Sequence, residues 1–513
     1  MQLVNGHSRG GAMKKTKTVT KKKGFQDIRL NKAQWITLVV MILACIAVTK
    51  PMSLNWVWNE ASWGHHGQYE KMTDAILSGH LYMDYDVDPK LLELENPYDR
   101  GQREANGVAY EFDHAYYDGH YYMYFGIVPV FLVCIPLRLL GIYVTSTDCT
   151  QIMAVGAIVG LFALFYAIYK KYAPKLPLAT YLCTSCAVSF ISLWYAVKYP
   201  SLYCTAITSG VCMAVWGVYF CFKAFVVDTE FKKTILHAAL GASFSALVFG
   251  CRPTIGFISL LYIPMIVHYV KENYAMFFGK EKGKIVYSWK EIGKIVAAFA
   301  LPYVITAILL MIYNYVRFDN PFEFGQTYQL TLVDQSFYMD DKPMFGPGWL
   351  AGYLNDFLFY FVKYTDVSDK FPYIHEDGML VLFPILLLGG AAFRSVKREK
   401  GTENFVKGFG ASVIATVLII ILMQSRWAPF EHRRYTTDFA FMLGILMMFG
   451  ICRIFMDADE KKYKTLNWVV SLACVGACIV AALLFFTTGE SAMADMDPGL
   501  PQRVADWLFF WKK

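Results

Sequence analysis

Charge is scarce in this chain. Asp, Glu, Lys and Arg make up 17% of its 513 residues, where an ordinary soluble domain carries about 25%. With 56% of residues hydrophobic and a mean hydropathy of +0.36, that shortage excludes a conventional soluble enzyme. A disulfide framework is missing too. All twelve cysteines lie in or beside apolar runs and none falls in the two long polar stretches, whereas a stapled scaffold needs them there. Cys183 and Cys186 have CxxC spacing but sit inside an apolar run with no second pair. Small buried thiols are expected, not a metal or redox site. A long polar tail precedes the first apolar run and no small-residue cleavage site follows it, so no cleavable signal peptide is expected. The sequence shows no internal repeat and no soluble domain. It gives no sign of a nucleic-acid partner, and the centres of its apolar runs are nearly free of charge.

What is present is a series of apolar runs, each close to the length that crosses a bilayer as a helix. They fall near 33–49, 150–169, 177–198, 202–222, 235–250, 255–270, 292–314, 378–393, 408–424, 435–454 and 466–488. Residues 1–32 carry nine bases and one acid, which predicts a cytoplasmic N-terminus. The run 126–143 is ambiguous, because Pro129 and Pro136 interrupt it and Arg138 lies near its end. Parity decides. The connectors around Lys170, Lys232, Lys282, Lys397 and Lys462 can all face the cytoplasm only if 126–143 does not cross. It is therefore expected to be an interfacial or re-entrant helix. The expected fold is an all-α polytopic membrane protein with about 11 transmembrane helices, or 12 if that run crosses. It divides into a basic tail (1–32), a transmembrane module (33–314) with an outer loop at 50–149, a second outer loop (315–377), C-terminal helices (378–488) and an outer tail (489–513).

The stretch from Trp56 to Gly126 is the chain's polar island. Thirteen carboxylates face four bases there, and five of the ten histidines join them. His66, Glu70 and Asp74 recur every four residues, on one face of a helix predicted to end at Gly79. The reading favoured for Glu70 and Asp74 is the wet side of a helix lying on the membrane. Tyr116 to Tyr122 reads as a tight hairpin around Asp118-Gly119, the preferred type I′ pair. Just before it stands Glu111-Phe112-Asp113-His114. An acid beside a histidine there is either a general base or substrate-hydroxyl ligand, or a turn cap.

The arginines are the second clue. Arg252, Arg317, Arg426, Arg433 and Arg434 all fall at predicted outer ends of spans, where Lys and Arg are normally avoided. Guanidinium groups grip phosphate in a forked, two-point way. A ring of them under acidic loops suits the phosphate of a lipid head group.

These features resemble the GT-C glycosyltransferases, polytopic enzymes of the protein O-mannosyltransferase and lipid A aminoarabinose transferase group. The likeness lies in the order of spans and loops. It also lies in Gln68 to Gly79, in FDHAYYDGHYYMYFGIVP (112–129), in YNYVRFDNPFEFG (313–325) and in RYTTDF (434–439). One departure stands out. Where relatives often carry an acidic pair ahead of the position of Tyr69, this chain has His65-His66. The resemblance implies a sugar taken from a polyprenyl-phosphate donor and passed, with inversion, to a cell-envelope glycan, lipid or protein on the extracytoplasmic face of the plasma membrane. It implies Glu60, Asp113 or His66 as the catalytic base. It implies His65, His114, Arg252, Arg317, Arg426, Arg433 and Arg434 as substrate ligands. No cofactor is expected, and a divalent metal is not indicated. A transporter or flippase of a lipid-linked glycan is the rival reading. It needs polar residues at mid-span, and few are there.

Overall fold

The computed structural model describes residues 30–52, 67–200, 202–281, 284–335, 347–361, 371, 374, 376–395, 400–427, 432–487 and 498–512. A helical element stands at each of the eleven predicted span positions. The helices are α1 (Lys32–Met52), α2 (Gln68–Ser78), α3 (Val130–Leu139), α4 (Ser146–Tyr172), α5 (Leu178–Lys198), α6 (Leu202–Val227), α7 (Phe231–Gly250), α8 (Pro253–Glu272) and α9 (Trp289–Phe318). After these come α10 (Pro384–Phe393), α11 (Lys400–Trp427), α12 (His432–Met456), α13 (Glu460–Leu484) and α14 (Leu500–Leu508). Among the described residues nine of them, α4 to α9 and α11 to α13, are long and apolar enough to cross a membrane. The apolar part of α1 and the 3-10 helix α10 are shorter.

The ambiguous run folds as α3. Ten residues at 1.5 Å each reach about 15 Å, half a hydrocarbon core. Arg138 near its end pairs with Asp74 on α2 at 3.1 Å, so α3 is bound to the loop helix.

The bundle is layered. α12 and α5 are the most enclosed, with 83% and 89% of their apolar stretches buried. α12 packs on α5, α6, α10 and α11, α4 on α6, and α5 on α13. α9 stands at the edge against α7, and none of its apolar stretch is buried. Small residues permit the close contacts, as in lipid-embedded bundles generally. A Cβ on Gly450 would collide with the carbonyl of Leu388, and one on Gly126 with the carbonyls of Gly250 and Cys251. The second contact seats the segment leading into α3 on the α7–α8 corner.

One end of the bundle carries a polar cap. Strands β1 (Ala115–Tyr117) and β2 (His120–Tyr122) form the expected hairpin, with Asp118 and Gly119 at φ 47° and 75°. The second loop adds to its edge. Asp113 N–H donates to the Leu330 carbonyl at 3.0 Å, Leu330 N–H to His114 at 2.9 Å, and Tyr116 N–H to Tyr328 at 2.9 Å. The two long loops, more than two hundred residues apart in sequence, therefore meet at Asp113. Strands β3 (Phe278–Glu281) and β4 (Lys284–Tyr287) make a small hairpin between α8 and α9; the sequence reading had only a basic connector there.

Glu70 departs from expectation. It is not on a wet face: it is 4% exposed, and its carboxylate accepts from Ser146 N–H at 2.6 Å and from Ser146 Oγ at 3.0 Å. It caps the N-terminus of α4, where unpaired amides and the helix dipole favour a negative charge. The tertiary contact overrides the polar pattern, because the apolar residues Tyr69, Met72 and Ala75 are buried on the same helix.

Candidate active site under the two-loop cap

Asp113 is the hub. Its backbone sits at φ 61°, a left-handed conformation that Asp tolerates better than most residues. The conformation is fixed from outside. The Asp113 N–H is spent on Leu330 and its carbonyl accepts from Gln68 Nε2 at 2.9 Å. The side chain is 7% exposed. Its carboxylate accepts from the Tyr124 hydroxyl at 3.3 Å and from the hydroxyl of Tyr203, in the first turn of α6. Burial, with the Asp113 charge beside it, pushes the Tyr124 phenol well above its usual value, so Tyr124 remains a donor.

Arginines gather around this hub through two aromatic rings. The Arg434 guanidinium lies 4.4 Å from the Tyr203 ring centroid and 5.1 Å from that of Tyr435. Arg252 lies 5.2 Å from the same Tyr435 ring. The order in space is thus Asp113, Tyr203, Arg434, Tyr435, Arg252. Arg252 is anchored in turn: its Nε pairs with Asp438 at 3.2 Å.

A cleft of about 150 Å³ opens beside this row. Leu310, Tyr313, Asn314 and Arg317 line it from one face of α9, at helical spacing. Tyr124, Arg252 and Gln326 line it as well, with Phe249 and Phe324, which are 36% and 42% exposed. Tyr124 therefore touches both the cleft and Asp113. The cavity is mixed in the manner of a ligand site, with apolar walls and a few convergent polar groups.

The remaining predicted residues stand differently. Arg317 also lines the cleft, but it is 3% exposed and each of its three guanidinium nitrogens already donates to a protein oxygen. Its Nη1 donates to the Met123 carbonyl at 2.6 Å, its Nη2 to Asn314 Oδ1 at 2.9 Å and its Nε to the Tyr313 carbonyl at 3.4 Å. Arg433 turns to the second loop, donating to the Asp356 carbonyl at 3.3 Å with its guanidinium 5.2 Å from the Tyr360 ring. His114 is fully buried. Its Nδ1 lies 2.8 Å from the Phe112 carbonyl and its Nε2 3.2 Å from the Tyr85 hydroxyl, so both ring nitrogens are engaged inside the protein, behind Asp113. Glu60, His65 and His66 lie outside the described residues, as does the side chain of Arg426 at the end of α11. Among the described residues no group of three His, Cys, Asp or Glu is placed to hold a metal ion.

The sequence reading missed several members. Tyr203 was not singled out, and Tyr124 stood only as one aromatic within the stretch 112–129. Asp438 stands four residues after Arg434, a spacing that would have put both on one face of α12. Outside this row, the buried Lys198 at the end of α5 pairs with the partly buried Glu376 at 2.6 Å and donates to Thr487 at 2.6 Å.

Fold and site together define a polytopic helical membrane protein with a preformed ionic cleft under a two-loop cap. No family model matches the chain, and a search of curated proteins finds no match. Among solved structures it is similar to the apo oligosaccharyltransferase of Archaeoglobus fulgidus, with 11% identity over 87% of this chain and a TM-score of 0.43. It is similar also to the archaeal oligosaccharyltransferase AglB of that organism in complex with an inhibitory peptide and a dolichol-phosphate, with 11% identity, 87% coverage and a TM-score of 0.40. The chain matches 55% and 56% of those longer chains. The likeness is one of helix arrangement alone.

Proposed function

We propose that this protein is a membrane glycosyltransferase that moves a sugar from a polyprenyl-phosphate donor to an acceptor on the extracytoplasmic face of the plasma membrane. The observation that carries the reading is the row from Asp113 through Tyr203 to Arg434 and Arg252, set beside a cleft that Arg252 also lines. The exposed Phe249 and Phe324 and the lipid-facing α9 suit a donor whose isoprenoid tail stays in the bilayer while its phosphate meets the guanidinium groups.

In the proposed step the Asp113 carboxylate takes the proton of an acceptor hydroxyl. The acceptor oxygen bonds to the anomeric carbon as the bond from that carbon to the phosphate oxygen breaks. The electron pair leaves with the phosphate, and Arg434 and Arg252 stabilise the charge that grows there. One displacement inverts the anomeric centre. Glu60, His65 and His66 remain partners to be tested for acceptor binding. The acidic loops and basic tail favour the extracytoplasmic side for this chemistry.

The test is transfer itself. Purified protein in vesicles, given a radiolabelled polyprenyl-phosphate sugar and envelope acceptors, should form a labelled product and release polyprenyl phosphate. Labelled lipid that crosses the bilayer with its sugar still attached would establish transport in place of transfer.

A further inference from the structure

Five outer-end arginines do not contribute equally to an anion site, and the structure separates two of them. Arg317 spends Nε, Nη1 and Nη2 on protein oxygens; it braces α9 to the backbone at Met123. Arg252 spends only Nε, on Asp438. Its terminal amino groups carry no hydrogen bond to a described residue, and Arg252 lines the cleft. Arg434 lies against the same Tyr435 ring. Two like charges sharing one ring repel, and an anion held between them would offset that repulsion.

Asp438 accounts for the setting of Arg252. It is fully buried, so it cannot meet a substrate. One of its oxygens, Oδ2, accepts from Arg252 Nε at 3.2 Å, from Thr254 Oγ1 at 3.1 Å and from Gln424 Nε2. These donors come from the α7–α8 corner, the first turn of α8 and α11, while Asp438 itself is on α12. Four segments thereby fix one carboxylate, and the carboxylate fixes the rotation of the guanidinium fork. A charge held by Nε leaves the other two nitrogens side by side, the geometry that matches two phosphate oxygens.

We propose that Asp438 is a positioning residue that aims the terminal amino groups of Arg252 into the cleft, making Arg252 and not Arg317 an anchor for the phosphate of an isoprenoid phosphate. This rests on the glycosyltransferase reading above, and the following experiment separates the two.

Full-length protein in detergent is titrated with farnesyl phosphate and, in parallel, with farnesol, which has the same tail and no phosphate. Wild type should prefer farnesyl phosphate. Arg252→Lys keeps the charge but loses the fork, and should weaken farnesyl phosphate at least about tenfold while leaving farnesol unchanged. Asp438→Asn should do the same to within about threefold, and the double variant should bind no worse than Arg252→Lys, because one acts through the other. Folded Arg317→Lys should retain the wild-type preference. Should Asp438→Asn fail to fold, Thr254→Val removes one donor from Asp438 and should cost about two- to fivefold in farnesyl phosphate affinity alone. Wild-type affinity in Asp438→Asn or Thr254→Val, with loss in Arg252→Lys, overturns the positioning role. Wild-type affinity in Arg252→Lys, or loss confined to Arg317→Lys, overturns the anchor. Equal affinity of the wild type for both lipids overturns the phosphate reading itself.

Discussion

Replacing Asp113 by Asn isolates the proton-accepting role from the architecture. The amide oxygen can still accept from one of the two tyrosines, Tyr124 or Tyr203, that donate to the carboxylate. The amide nitrogen then faces the other phenol oxygen, and that hydroxyl must turn its proton elsewhere. The loss is one charge-assisted hydrogen bond, about 1.5–3 kcal/mol of stability. The backbone bonds of Asp113 to Leu330 and Gln68 do not involve the side chain, so the cap should remain folded. The chemical effect is larger. Loss of a general base lowers a rate by about 10²–10⁴-fold, or roughly 3–5 kcal/mol of barrier. The assay is single-turnover release of polyprenyl phosphate from saturating labelled donor, alongside a melting curve. The expected result is a rate loss of that size with donor affinity within about threefold of wild type. A folded Asp113→Asn variant with an unchanged rate would refute the assignment. A variant that transfers normally but binds donor poorly would move Asp113 from base to ligand.

Three further outcomes follow from the same contacts. Glu70→Ala removes the acceptor for Ser146 N–H and the charge at the start of α4; thermal or denaturant unfolding should show about 2–4 kcal/mol lost, with Glu70→Gln intermediate. Gly126→Val should abolish accumulation of folded protein, read by size-exclusion chromatography, because a side chain there meets the carbonyls of Gly250 and Cys251. Burial raises the Glu111 carboxyl above its ordinary value, with Lys71 opposing. Its folded form therefore holds a proton more tightly than the unfolded chain, so its contribution to stability falls as pH rises through that raised value. Glu111→Gln should melt higher than wild type at neutral pH and match it below the ordinary carboxylate range.

The helices and the hairpin were legible because they are local. Apolar runs of bilayer length and the Asp118-Gly119 turn are written in neighbouring residues. The shortness of α3 was legible in Pro129, Pro136 and Arg138, which interrupt a run that hydropathy alone would extend to a span. The arrangement of the site was only half legible. Placement at span ends picked out Arg252 and Arg434, yet could not separate them from Arg317, since the engagement of all three Arg317 guanidinium nitrogens depends on how Met123 meets α9. Glu70 looked wet because its spacing matched His66 and Asp74. Its partner Ser146 lies seventy-six residues on, and no periodicity reports that. The spacing of Asp438 from Arg434 was visible, but its role and that of Tyr203 were not: each becomes chemical only when α6, the α7–α8 corner, α11 and α12 converge.

The central claim is that Asp113, Arg434 and Arg252 face one phosphate-bearing lipid. A structure of the full chain with bound undecaprenyl phosphate tests it most directly. The account predicts phosphate oxygens about 2.7–3.0 Å from guanidinium nitrogens of both Arg252 and Arg434, with the isoprenoid running past Phe249 along α9. A phosphate lodged elsewhere, out of reach of both arginines, would contradict it.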